Sequence, residues 1–111
     1  MKHTIRQEGT TAVIAFEGEV DLEHSPTARK VLLDCVEQGH DVVVDMAEVA
    51  YIDSSGIASL VEALQTARRK HTRFSLAAVS PAAMRVFQLA RLDLVFTIHP
   101  TVSDGTAPPH G

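Results

Sequence analysis

The sequence predicts an α/β fold of order ββαβαβαβ. Its sheet is mostly parallel, with an antiparallel strand at the N-terminal edge and helices packed against it. Three observations carry this. From Ser25 onward, helical patterns alternate with short apolar runs, as in strand–helix–strand crossovers. The first two strand runs are separated only by the turn Glu8-Gly9-Thr10, which reads as a hairpin. The run Val42-Val43-Val44 is apolar without interruption, as in a buried strand.

The elements follow in order. Thr4 to Gln7 and Thr11 to Phe16 are the hairpin strands, and Gly18 to His24 is a loop. Ser25-Pro26 signals a helix start, with serine as the cap and proline in the first turn. Ala28, Val31, Leu32, Cys35 and Val36 form one apolar stripe, and Gly39 is the stop. Cys35 falls on that stripe and reads as a small core residue. Asp41 to Met46 is the central strand. A second helix begins at Asp53-Ser54-Ser55-Gly56 and buries Ile57, Leu60, Val61, Leu64 and Ala67. Arg73 to Val79 is a strand, and Ser80-Pro81 repeats the start signal for a helix reaching about Ala90. Leu94 to Ile98 is the last strand. Gly105, Pro108 and Pro109 argue against a helix in the remainder, so residues 101–111 are expected to be a flexible tail.

Composition excludes several functions. The 111 residues suffice for one core and carry a net charge of −4. The basic cluster Arg68-Arg69-Lys70 suits a helix C-terminus, so no nucleic-acid partner is expected. No apolar run reaches the ~18 residues of a membrane span, so no direct membrane insertion is expected. The first residues lack the apolar core of a signal peptide, and there is one cysteine. Together these point to a cytoplasmic protein.

Enzyme signatures are missing too. Neither phosphate-binding glycine motif is present, and Ser54-Ser55-Gly56 lacks the rest of a nucleophile elbow. The six histidines never fall at i, i+3 or i, i+4, so no metal is expected, and no cofactor. Glu17, Glu19 and Asp21 do not complete a phospho-aspartate site, because no lysine follows Lys70.

The helix start at Asp53 is where chemistry concentrates. At about 100° per residue, Ser55, Ser59, Glu62, Thr66 and Arg69 make a stripe opposite the apolar one. The Ser55 hydroxyl is therefore expected to face away from the core, and Ser54 to act as a structural cap at the helix start. Asp53 is expected either to cap the helix or to steer a kinase's nucleotide. Asp21 is a turn former with a slight lean to function.

At these residues the chain resembles the STAS domain family, and within it the bacterial anti-sigma-factor antagonists. Gly18-Glu19-Val20-Asp21 is similar to the family's loop. Val42-Val43-Val44-Asp45 with Tyr51-Ile52-Asp53-Ser54-Ser55-Gly56 is similar to its signature strand and helix start. Leu89, Leu92-Asp93 and Phe96 are similar to its segment after the third helix. The resemblance assigns residues 1–100 to a STAS domain and implies a partner switch, not an enzyme. In the family, the serine before this glycine, here Ser55, is phosphorylated by a partner that is both anti-sigma factor and serine kinase. The unmodified antagonist binds that partner, the phosphorylated form releases it, and a serine phosphatase resets the cycle. The expected partner-binding residues are Asp21, Asp53, Ser54, Ser55, Ser59 and Glu62.

An alternative implied by fold alone is a STAS scaffold subunit of a membrane lipid-transport ABC system. A third is a small phospho-relay or hydrolytic enzyme, which would show turnover in isolation. Two departures from the family stand out. Arg91 replaces a common glycine, and a left-handed arginine there costs about 1 kcal/mol, so the third helix is expected to end differently. The family usually closes with a helix that this tail is not expected to form.

Overall fold

The computed structural model describes residues 1–107. Strands β1 (Lys2–Glu8) and β2 (Thr11–Val20) form the hairpin, followed by α1 (Ser25–Glu37), β3 (Asp41–Ile52), α2 (Ser54–Arg69) and β4 (Phe74–Ala77). Then come α3 (Pro81–Leu89), β5 (Ile98–His99) and α4 (Val102–Thr106). The five strands lie side by side in chain order, β1 antiparallel to β2 and every other pair parallel.

That order explains where the core sits. Each parallel crossover steps the same way across the sheet, so crossovers of one hand put α1, α2 and α3 on one face. Ala12, Ile14 and Phe16 of β2, Val42, Val44 and Met46 of β3, and Phe74 and Leu76 of β4 point into this layer. Leu32 and Val36 of α1, Leu60 and Ala63 of α2, and Phe87 of α3 meet them. Phe87 and Phe96 pack edge to face, with ring centroids 5.6 Å apart. On the opposite face Val13, Val43 and Ala77 are buried under Val102 of α4.

The strands run further than the pattern suggests. β2 continues past Phe16 to Val20, and β3 past Met46 to Ile52. Their register shifts twice, between Ala15 and Glu17 and between Gly18 and Glu19. Bulges of this kind break the two-residue period that would betray a strand. Asp45 supports the first shift by accepting from the Ala47 amide at 3.1 Å.

Other expectations are corrected. The last strand is only Ile98–His99, because the chain turns at Leu92, whose carbonyl accepts from Val95 and Phe96. That turn delivers Phe96 to Phe74 and Phe87. The expected tail begins instead with α4. Thr101 caps it by accepting from the Asp104 amide, and Gly105 lies so close to the sheet that a Cβ would sit 3.1 Å from Val43. The glycine that argued against a helix is what lets it dock. The remainder of the expected tail, residues 108–111, lies outside the described residues.

Helices α1, α2 and α3 all end in the same way. The residue after each cap, Gly39, His71 or Arg91, has positive φ (87°, 59° and 58°). The next amide reaches back to Cys35, Ala67 or Phe87. Arg91 thus adopts the left-handed stop despite its side chain, contrary to the expectation from its residue type.

Candidate functional site

The ends of β2 and β3 converge on the start of α2. The Val20 carbonyl accepts from the Asp53 amide at 3.3 Å. It also lies 2.5 Å from where a Cβ on Gly56 would be, with Ile52 Cγ1 at 2.8 Å. Only glycine fits at this crossing of backbone and helix.

Asp53 is the N-cap of α2. Its Oδ1 accepts from the Ser55 amide (2.9 Å), the Gly56 amide (3.2 Å) and the Ser55 hydroxyl (2.5 Å). The Ser55 hydroxyl chiefly holds the Asp53 carboxyl below its ordinary value. Partial burial opposes that shift, and the Gly56, Ser55 and Leu22 backbones add to it. Asp53 is therefore a carboxylate at neutral pH, fixed beside a hydroxyl. Ser54, expected as a structural cap, is instead the exposed first residue of the helix, and the Asp53 carboxylate takes the capping role.

Asp21 closes the loop on the other side. Its Oδ1 accepts from the His24 amide at 3.1 Å and pairs with His24 Nδ1 at 2.7 Å. Burial pushes its carboxyl up, but the His24 ring and amide outweigh this and leave it lowered. This turn also changes the start of α1. The helix begins at Ser25, His24 occupies the N-cap without a side-chain bond, and Ser25 is buried rather than capping. Asp21, Glu23 and His24 hold three potential ligand atoms within 4.8 Å of one another, with His24 Nδ1 already committed to Asp21.

The outward stripe of α2 is rotated from the one the helical wheel predicts. Ser54, Ala58, Gln65 and Arg68 are exposed, whereas Ser59 and Thr66 are buried. The reason is α1, which lies along that flank. Ser59 Oγ donates toward the carbonyls of Ser25 (3.4 Å) and Ser55 (3.2 Å). Ser59 is therefore withdrawn from the partner-binding set. Glu62 stays half-exposed but is engaged by Arg29 through a two-point contact, Nε to Oε2 at 2.5 Å and a second nitrogen to Oε1 at 2.8 Å. That hydrogen bonding and charge lower the Glu62 carboxyl, partial burial opposing.

The fold thus gathers Asp21, Asp53, Ser54 and Ser55 at one mouth. It buries Ser59 and sets Glu62 along the α1–α2 seam. Ser55 is half-buried at the flank of this mouth. One residue that sequence reasoning missed rims it: Leu22, 76% exposed, whose backbone bonds the Asp53 carboxylate. An apolar residue inside the acidic loop Asp21-Leu22-Glu23 was the available signal for it.

The chain belongs to the STAS domain family, whose model matches residues 2–105. The anti-sigma-B factor antagonist of Bacillus subtilis (strain 168) is 24% identical over 94 residues, 85% of this chain and 86% of that protein. The crystal structure of an anti-sigma factor antagonist from Mycobacterium paratuberculosis superposes with a TM-score of 0.85 at 24% identity, covering 93% of this chain and 88% of that one. The Bacillus cell fate determinant SpoIIAA in its phosphorylated form gives 0.73 at 20% identity, covering 94% and 96%. Among the described residues no helix is long and apolar enough to cross a membrane.

Proposed function

We propose that this chain is an anti-sigma-factor antagonist that switches partners by phosphorylation of Ser55. The observation that carries the reading is the Ser55 hydroxyl at a helix mouth, hydrogen-bonded to Asp53, whose carboxylate also bonds the backbone of exposed Leu22. The anti-sigma-B factor antagonists among its relatives support it.

The unmodified mouth offers a docking surface: an apolar anchor, Leu22, beside small polar groups and two carboxylates. The partner is an anti-sigma factor that is also a serine kinase, acting in the cytoplasm. In the transfer, the Ser55 oxygen attacks the γ-phosphorus of ATP. The bond from that phosphorus to the bridging oxygen of ADP breaks, and the hydroxyl proton leaves toward an acceptor. Asp53 Oδ1 already holds that proton in a hydrogen bond.

Modification then reverses the electrostatics of the mouth. It removes the O–H that Asp53 accepts and adds roughly −1.5 to −2 charges beside Asp53 and Asp21. The amides at the start of α2 tolerate an anion, so the fold survives. A partner surface complementary to the neutral mouth does not, and a serine phosphatase restores it. The chain itself is no enzyme in this scheme.

Incubation with the cognate kinase and ATP is expected to add one phosphate, absent in Ser55→Ala. Ser55→Asp is expected to weaken partner binding by about a hundredfold. A phosphate on another residue, or none with the true partner, would refute the switch.

A further inference from the structure

We propose that β1 is a self-association edge. Two copies of this chain join antiparallel across it, about a two-fold axis at Ile5, into one continuous sheet of twice the five strands. This stands apart from the Ser55 reading.

The first observation is that β1 is bare. All seven residues from Lys2 to Glu8 are exposed, and Ile5 keeps 51% of its surface in water. The opposite edge, β5, is only Ile98–His99, too short to template another strand.

The second is which backbone groups are free. Gly9 (φ 62°) and Thr10 form the tight turn, and Glu8 pairs with Thr11 across it. A turn of this length closes on a hydrogen-bonded pair. Hydrogen-bonded and non-bonded pairs alternate from there. Glu8, Arg6, Thr4 and Lys2 therefore spend their amides and carbonyls on β2. His3, Ile5 and Gln7 aim theirs outward, at the free edge.

The third is the spacing of side chains about Ile5. An antiparallel pairing centred there sets Ile5 against the partner's Ile5, and His3 against the partner's Gln7. It sets Thr4 against the partner's Arg6, and Lys2 against the partner's Glu8. The outward groups of His3, Ile5 and Gln7 then bond one another, about six N–H···O=C bonds by symmetry. Lys2 and Glu8 share one sheet face with Arg6 and Thr4, so the ion pairs Lys2–Glu8 form twice on that face. On the other face two isoleucines meet at the axis.

A charged edge strand more often keeps copies apart. Protection of that kind sets like charges against each other in the paired register. Here the opposite signs stand at equal distances from Ile5, and self-pairing satisfies them. Glu8 already takes Arg6 Nε at 3.0 Å within its own chain, so its carboxylate is held on this face.

The two copies would run antiparallel, so their α2 mouths point to opposite ends of the joined sheet and both stay open. A single strand pair buries less than the roughly 1,200 Å² of stable complexes, so dissociation constants on the order of 100 µM are expected.

Sedimentation over a wide concentration range tests this on the whole chain. The wild type is expected to move from monomer toward dimer in the high-micromolar range. Ile5→Pro removes a central outward N–H and leaves the ladder to β2 intact, because proline is accepted on an edge strand. It should weaken association by about tenfold or more, with an unchanged circular dichroism spectrum. Glu8→Lys leaves two positive positions and Lys2→Glu two negative ones. Each alone should weaken association about tenfold at low salt, and an equimolar mixture should recover it as a heterodimer. A wild type monomeric to millimolar concentration overturns the proposal. So does a dimer indifferent to Ile5→Pro, or a mixture that fails to recover.

Discussion

The starts of α2 and α3 are built on the same plan and serve different ends. Each is capped by a side chain and anchored to the far end of a neighbouring strand. At α3, Ser80 Oγ accepts from the Ala83 amide at 3.3 Å and donates to the Val49 carbonyl at 2.6 Å. Its hydroxyl is fully used, it does not titrate, and nothing about it changes with conditions. At α2 the cap is a carboxylate, and one of its three donors is another side chain, Ser55. A neutral, saturated cap is a joint. A charged cap that shares its oxygen with a half-exposed hydroxyl is a joint that chemistry on that hydroxyl would alter.

The difference between the two starts is tested hardest at Gly56. A methyl there meets the Val20 carbonyl and Ile52, so Gly56→Ala is expected to destabilise the fold by about 3 kcal/mol, read by denaturant unfolding. The residue at that place in α3, Ala83, already carries its methyl in the core.

Removing the caps comes next. Asp53→Ala should cost about 1–2 kcal/mol and Ser80→Ala about 1 kcal/mol, whereas Ser25→Ala should cost less, about 0.5 kcal/mol, because Ser25 caps nothing. Equal losses at Ser25 and Ser80 would show that the shared Ser-Pro dipeptide, and not the anchoring, sets the energy.

The two caps also separate by pH. Asp53 titrates below its ordinary 3.8 in the folded chain. Its contribution is complete above the ordinary value and is lost as pH falls through the lowered one. Asp53→Asn should flatten this acid limb of the stability curve, while Ser80→Ala leaves its shape alone. Phosphorylation of Ser55 should raise the Asp53 titration, seen by carboxyl NMR, since the main cause of its lowering is that hydroxyl.

The one stabilising change sits at the other end of α3. Arg91→Gly should stabilise by roughly 1 kcal/mol, because φ of 58° suits glycine. A loss instead would mean the arginine side chain has a role that residue type does not reveal.

Much of this was legible in the chain. The strand–helix alternation, the hairpin at Gly9, the stop at Gly39, and the gathering of Asp21 and Asp53 near Ser55 follow from local pattern or family likeness, whereas the left-handed stop at Arg91 does not. Local signals failed where a distant element competed. Ser25-Pro26 and Ser80-Pro81 read alike, yet the Asp21–His24 turn takes over the first and leaves Ser25 buried. Ser59 and Thr66 look polar and outward on a wheel, but both are buried, Ser59 against the start of α1. Gly105 looks like a breaker and is a contact point.

Periodicity and capping act within a few residues, so the order of elements, the inward stripes and the carboxylate-serine-serine-glycine helix start can be read along the chain. Packing in three dimensions sets which flank of α2 meets water, how far β2 and β3 run through their bulges, and that α4 closes the second face. Those outcomes depend on which element packs beside which, and no short window of residues contains that.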